Sequence, residues 1–321
     1  MTDLAQITNI VAPQIEAFEK EYADQLKSSV TLANTITDYL NKRRGKQLRP
    51  LLTLLSAGAC QGEISQHSIK MAVAMELLHN SSLIHDDVVD DSSLRRGIPT
   101  VNNTWGNKIA VLSGDFYLAK VMTLLCRHAS PEEMEVVNGT AVSMSEGELL
   151  QQQTAHSLNL DESNYIATIE KKTASLIAAC CEIGCLAGKK NDYTENLRQF
   201  GLHFGLAFQM RDDMLDYMPE ANTGKPYGND LQERKMTLPL LNYLAMTDPS
   251  RKEILLKQIA DGVDEIIAMQ IVAEVSHSGA MEKTLSRINT EVSTAIDALK
   301  PLPDSIYKQA MIDLATLLTR K

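Results

Sequence analysis

Apolar residues recur at helical spacing over five long stretches, Leu51–Ile84, Ile109–Leu125, Val136–Leu150, Tyr165–Leu186 and Leu197–Tyr217, and no series of short segments alternates apolar with polar residues. A stripe repeating every three to four residues buries one face of a helix, whereas a half-buried strand needs a period of two. The chain is therefore expected to be all-α. Prolines fall mainly where these stretches stop or start, as at Pro50, Pro99, Pro131, Pro239 and Pro249, which suits a residue that lacks the N–H a helix interior needs. Long helices joined by short turns suit an antiparallel bundle. No solenoid repeat or low-complexity linker interrupts the pattern, so residues 1–321 read as a single large helical domain.

Hydrophobic residues make up 44% of the chain and charged residues 22%, an ordinary globular composition that leaves a large core available. The net charge of -10 argues against a nucleic-acid partner, which needs a broad basic surface. Anionic small molecules remain open, provided that concentrated cations or metal ions receive them. Asp3 comes early and no basic stretch precedes an apolar run, so no secretory signal is expected and the protein is expected to be cytoplasmic. The best candidate for a membrane span, Ser175 to Gly188, is interrupted by Glu182, so none is expected. The 5 cysteines form no pair of ligand doublets and read as reduced core residues.

Two carboxylate clusters stand at the ends of apolar helical runs. In His85-Asp86-Asp87-Val88-Val89-Asp90-Asp91, Asp86 and Asp90 are one turn apart and share a face, while Asp87 points about 100° around the axis. Like charges at this spacing repel, and carboxylates at a helix C-terminus oppose the helix dipole. A hard divalent cation would compensate them, since carboxylate oxygens suit magnesium, which binds through one or two carboxylates plus substrate phosphates. Gln209-Met210-Arg211-Asp212-Asp213-Met214-Leu215-Asp216 repeats the spacing, with Asp212 and Asp216 on one face. A single such cluster is as easily a solvated helix end. Two are harder to dismiss, because on neighbouring helices they would face each other across a cavity mouth and hold several metal ions around one diphosphate.

Cations accompany both clusters. Gly45-Lys46-Gln47-Leu48-Arg49-Pro50 opens a helix, where free backbone N–H groups beside Lys46 and Arg49 would make an anion site, although a solvated basic turn reads the same way. Arg95 and Arg96 follow the first cluster, and side-by-side guanidiniums can each face a different diphosphate. Lys225 and Lys235 flank a Gly- and Pro-rich loop after the second cluster. Lys171-Lys172-Thr173 interrupts an apolar helix, and helical phase does not choose between the two lysines.

In order along the chain, GKQLRP, ELLH with SLIHDDVVDDSSLRRG, GDF, EKKTASL, QMRDDMLDY, GKPYGNDL and RKMTLPLL closely resemble the trans-isoprenyl diphosphate synthase family from about Gly45 to Leu241. The resemblance implies an isoprenoid synthase helix bundle around a central cavity, working as a homodimer with magnesium. It implies that Lys46, Arg49, His79 and Arg96 bind the diphosphate of isopentenyl diphosphate. Arg95, Lys172, Gln209, Lys225 and Lys235 are assigned to the allylic diphosphate. Asp86, Asp90 and Asp212 would be direct magnesium ligands, with Asp87, Asp213 and Asp216 in support, directly or through water. Thr173 and Gln209 would turn oxygens toward a carbocation formed when the allylic C–O bond ionises. Arg211 and the run Glu233-Arg234-Lys235 depart from the family, which usually has a glycine before that lysine.

A terpene cyclase of the same fold would need neither a second DDxxD cluster nor a second diphosphate site. A noncatalytic subunit of a heteromeric synthase would have lost aspartates or lysines that this chain keeps. Product length turns on what lies below the first cluster. Ser82 and Ser81 are small and sit about one turn deeper than Asp86, with Leu77 another turn down and Val137 as a further candidate floor. A tunnel left open there predicts a hexaprenyl to decaprenyl product, with geranylgeranyl or farnesyl diphosphate as the shorter alternatives.

Overall fold

The computed structural model describes residues 3–42, 45–60, 64–188, 191–218 and 228–319. Helices α1 (Leu4–Asn9), α2 (Ala12–Gln25) and α3 (Thr31–Asn41) lead into α4 (Leu48–Ala59) and α5 (Gln66–Val89). A hairpin of β1 (Leu94–Arg95) and β2 (Ile98–Pro99) precedes α6 (Val101–Trp105), α7 (Asn107–His128) and α8 (Pro131–Ser157). α9 (Glu162–Ile169) continues through a π-helical turn, Glu170–Ala174, into α10 (Ser175–Ala187) and then α11 (Thr194–Leu215). α12 (Asn229–Gln232), α13 (Leu238–Met246), α14 (Pro249–Asp261), α15 (Glu265–Ser276), α16 (Ala280–Ala298) and α17 (Ile306–Leu317) complete the chain. The fold is all-α, and among the described residues the hairpin is the only sheet. Polar residues start the helices as elementary capping requires: Ser65 accepts from Ser68 N, Asp161 from Ser163 N and Asp264 from Ile267 N.

The chain divides into two compact units. The first comprises Met1–Ala141, Leu176–Arg198 and Leu299–Leu314, and the second Val142–Ser175, Gln199–Ala298 and Ala315–Lys321. In the first, α4 is buried from Pro50 to Ala59 and packs on α5, which runs along α7. Side chains such as Leu51, Leu54 and Leu77 are fully buried there, each contributing about 1.5–3 kcal/mol relative to exposure. Gly114 of the GDF motif lets α5 and α7 approach, since a Cβ there would lie 2.2 Å from His85 Nε2. In the second unit, α13 packs on α16 and α9, and Phe204, Tyr217 and Leu240 anchor the core. Gly147 of α8 serves the π turn in the same way, because a Cβ there would lie 2.5 Å from the backbone nitrogen of Lys172.

Two expectations are adjusted. Four cysteines are buried, with Cys60 Sγ donating to Cys185 Sγ at 2.9 Å, but Cys126 is exposed. Among the described residues the helix long and apolar enough to cross a membrane is α7, not the run near Ser175. α7 carries Asp115 and Lys120 within its length, and its inner face serves the core of the first unit.

Candidate active site

The first cluster ends α5 in the first unit. Asp86 and Asp90 are half-buried on the shared face that their spacing requires, while Asp87 is buried. Arg95 Nε donates to Asp87 Oδ1 at 2.6 Å, tying the hairpin to the helix end. The turn between β1 and β2 is made by Arg96 at φ 53° and Gly97 at φ 77°, the paired left-handed residues that a two-residue hairpin demands. An arginine held left-handed costs about 1–2 kcal/mol. In return its guanidinium is brought against Gly45, where a Cβ would stand 2.5 Å from Arg96 Nη2. The adjacent arginines thus diverge, Arg95 to Asp87 and Arg96 to the GKQLRP turn.

That turn carries Lys46, exposed, and Gln47, left-handed at φ 49° without a side-chain cap. Arg49, in the first turn of α4, has a buried Nε that finds no hydrogen-bond partner among the described residues. Burial lowers the pKa of its guanidinium, an effect that Glu76 opposes. His79 is buried, and burial together with Arg49, Arg96 and Arg95 holds its pKa well below the ordinary range. A neutral imidazole amid guanidiniums can donate one N–H to an anion without adding charge. Glu76, one turn earlier, is the buried carboxylate of this group. Asn80 Nδ2 donates to its Oε1 at 3.3 Å, and also to the Glu76 backbone carbonyl at 2.8 Å and to Tyr22 Oη at 3.1 Å.

The second cluster ends α11 in the second unit and borders a cavity of about 250 Å³. Lys172, Thr173, Gln209, Asp212, Asp216 and Lys235 all line it. The π turn resolves the choice that helical phase left open. Lys171 pairs with the exposed Glu146 at 2.5 Å, while Lys172 pairs with Glu148, donates to Gln151 Oε1 at 3.2 Å and lines the cavity. Such turns displace side chains from the α-helical phase and recur at functional sites.

Asp212 is exposed, Asp216 half-buried and Asp213 buried. Asp213 accepts the Tyr165 hydroxyl on Oδ2 and Gln209 Nε2 on Oδ1, both at 2.7 Å. Burial pushes its carboxyl up to about 6 despite those two donors. Asp216 Oδ2 accepts from Asp230 N at 3.1 Å, which ties the cluster to the start of α12. Burial also raises the pKa of Asp230 well above the usual carboxylate range, and Lys235 pairs with Asp230 at 3.8 Å and with Glu233. Where the family usually has glycine, Arg234 sits at φ 58°, so the departure is a residue held in glycine's backbone region. Arg211 is half-buried on α11, and burial lowers its pKa. Lys225 lies outside the described residues.

Among the described residues, Lys46, Arg49, His79, Arg95, Arg96 and the first cluster belong to the first unit, and Lys172, Gln209, Lys235 and the second cluster to the second. Glu76 opens the ELLH motif, whereas two residues beside the site had no sequence signal of their own, Tyr165 and Glu148. Their positions are ordinary helical ones, and only contacts across helices give them partners. The chain-length residues separate. Ser81 is buried and donates to the Gly114 carbonyl at 2.9 Å, a hydroxyl contact between α5 and α7. Ser82 is half-buried and bonds the His79 carbonyl at 2.9 Å, while Leu77 is fully buried.

The polyprenyl synthetase family pattern matches residues 30–275. The chain is 37% identical over 308 residues to the all-trans-nonaprenyl-diphosphate synthase (geranyl-diphosphate specific) of Rhodobacter capsulatus, covering 96% of this chain and 94% of that protein. It is 33% identical over 321 residues to the octaprenyl diphosphate synthase of Escherichia coli strain K12, with 99% of each covered. Among solved structures, the polyprenyl synthase of Caulobacter crescentus complexed with calcium and isoprenyl diphosphate superposes with a TM-score of 0.94 at 33% identity, covering 99% of this chain and 98% of that one.

Proposed function

The chain belongs to the polyprenyl synthetase family, and on that premise we propose that it is an all-trans polyprenyl diphosphate synthase adding isopentenyl diphosphate repeatedly, head to tail, to an allylic diphosphate. The observation that carries this reading is the cavity of the second unit, which carboxylates (Asp212, Asp216) and lysines (Lys172, Lys235) line together with the Thr173–Gln209 pair. Anion and cation donors together suit a diphosphate held partly through metal ions and partly by ammonium groups.

Carboxylate oxygens one turn apart fit magnesium, and a relative of this fold has been solved with calcium and isoprenyl diphosphate. Asp86 and Asp90 would hold metal at the first cluster, and Asp212 with Asp216 at the second. Bound magnesium supplies neutralisation of the departing diphosphate. Asp87 and Asp213 take the supporting role, because Arg95 engages the first while Tyr165 and Gln209 engage both oxygens of the second.

Lys172, Lys235 and Lys225 hold the allylic diphosphate and stabilise its charge as the C–O bond ionises, which is electrostatic catalysis without a side-chain nucleophile. Lys46, Arg49, Arg96 and neutral His79 hold isopentenyl diphosphate. Arg49 Nε, buried and without an acceptor among the described residues, supports this, since such a donor is a standing cost that a bound phosphate oxygen removes. The isopentenyl double bond attacks the cation, and the proton lost in closing the new double bond passes to the released diphosphate.

The names of the relatives support a long product, from hexaprenyl to decaprenyl, and the retained aspartates and lysines argue against a noncatalytic subunit. A single synthase domain spanning 1–321, a cytoplasmic location and a homodimer complete the proposal. Exposed Val111, Leu112 and Met122 on α7 support a second copy as partner. The test is product analysis with isopentenyl diphosphate, geranyl and farnesyl diphosphates as primers, and magnesium. Chelation should abolish elongation and added magnesium should restore it; elongation that survives chelation, or no elongation with any primer, would sink the reading.

A further inference from the structure

The second cluster contains a tyrosine that no motif announces. Tyr165 lies on α9, is 8% exposed, and donates its hydroxyl to Asp213 Oδ2 at 2.7 Å. The other Asp213 oxygen accepts Gln209 Nε2, also at 2.7 Å. With its nitrogen committed to the carboxylate, the Gln209 amide turns its oxygen the opposite way, where it accepts the Thr173 hydroxyl at 2.9 Å. A hydroxyl has one proton and two lone pairs. Since the Thr173 proton is used toward Gln209, what this side chain offers the cavity is a lone pair. All four residues line the same cavity, and the π turn sets the position of Thr173.

We infer that Tyr165 is a positioning residue: it fixes the Asp213 carboxylate, and through it the orientation of the Gln209 amide, so that Thr173 turns an electron-rich oxygen toward the charge developing on the allylic substrate. The inference deepens the reading above and rests on it. A carboxylate accepts only, so as long as Asp213 is held in place the amide nitrogen of Gln209 must face it. Without the Tyr165 hydroxyl, Asp213 loses a partner and can rotate, and the amide is free to reverse. A reversed Gln209 points its NH₂ at Thr173, which must then accept and aim its own proton into the cavity. A proton there opposes a developing cation. The neutral carbon skeleton of the ground state senses little of this, while the charged transition state senses it strongly.

The test is a double-mutant cycle of Tyr165→Phe and Thr173→Val, with kcat and both Michaelis constants measured in each protein. Tyr165→Phe should lower kcat about ten- to a hundredfold and move the Michaelis constants by less than about threefold. The double variant should be no slower than Thr173→Val alone, because the tyrosine acts through the threonine. Additive losses, or an unchanged kcat in Tyr165→Phe, overturn the inference. Calorimetry gives a second readout. A diphosphate bearing a protonated amine at the reacting carbon should bind Tyr165→Phe about tenfold more weakly than it binds the parent, while an uncharged thio analogue binds both alike; equal weakening of the two overturns the inference. If Tyr165→Phe does not fold, Asp213→Asn perturbs the same amide at nearly constant volume, and an unchanged kcat there is equally fatal. A parent enzyme that elongates nothing refutes the function itself, whereas an active parent with an additive cycle refutes only the role of Tyr165.

Discussion

The two aspartate clusters have the same letters at the same spacing at the ends of two helices, yet the protein treats their middle residues differently. Asp87 is answered by a full positive charge, Arg95, while buried Asp213 is answered by two neutral donors, Tyr165 and Gln209, and its carboxyl is pushed up to about 6 by burial. In the first unit the middle aspartate anchors a hairpin that splits Arg95 from Arg96. In the second it orients an amide and a hydroxyl at a cavity wall. A spacing fixes which carboxylates share a helix face, but the partners that decide their chemistry arrive from other helices.

The strongest way to break the comparison is to remove an outer aspartate from each cluster. Asp86→Ala and Asp212→Ala should each lower turnover by about a thousandfold or more while the fold survives, since carboxylates not sealed in the core contribute little to stability. Steady-state kinetics beside circular dichroism checks this, and near-normal turnover in either variant would remove that cluster from the chemistry.

Substrate binding should also divide along the two groups. Arg49→Ala and Lys46→Ala should raise the Michaelis constant for isopentenyl diphosphate by about tenfold or more, and Lys235→Ala that for the allylic diphosphate, each through a lost charge-assisted contact. Measuring both constants in each variant decides it. Three variants that all disturb one constant would dissolve the proposed assignment.

Below the first cluster, Ser81 and Ser82 should now behave differently. Ser81→Phe forces a ring between α5 and α7 and removes the hydroxyl that donates to the Gly114 carbonyl, so about 2–3 kcal/mol of stability should be lost. Ser82→Phe, at a half-buried position, should instead shorten the product. Denaturant midpoints and chromatography of the prenyl products separate the two outcomes. A stable Ser81→Phe protein making shorter product would place both serines in the tunnel wall.

The smallest effect compares a buried glutamate in each unit. Glu133 meets His67 at 2.7 Å and Ser130 N at 2.7 Å, while Glu291 meets His203 at 2.7 Å and Arg287 at 3.0 Å. Burial raises both carboxyls, but these partners outweigh it and leave each pKa below the ordinary value. A depressed carboxylate pKa adds stability that is present above the unfolded value and lost as pH falls through the folded one. Glu133→Gln and Glu291→Gln should therefore cost about 1 kcal/mol near neutrality and show less further loss below about pH 4 than the parent. Urea unfolding across that range is the measurement. Parallel acid limbs in parent and variants would show that neither pair is linked to folding.

Much of this protein follows from the sequence alone. The 3.6-residue period demands helices, the prolines bound them, and the one-turn separation puts Asp86 with Asp90 and Asp212 with Asp216, because these are properties of a single helix and need no neighbour. The same local logic isolates the Gly45–Pro50 turn and the arginine pair. Tertiary structure alone decided the rest. Lys172 was chosen over Lys171 by a π turn packed on Gly147, which no periodicity encodes. Arg96 reaches Gly45 because a hairpin forces left-handed backbone on an arginine. Ser81 was drawn into the α5–α7 contact by a carbonyl distant in sequence. Tyr165 became a functional candidate only through its partner on another helix. Helical geometry is set by residues a few positions apart, whereas the protonation, orientation and access of a side chain are set by whatever packs against it, and that is known only once the chain has folded.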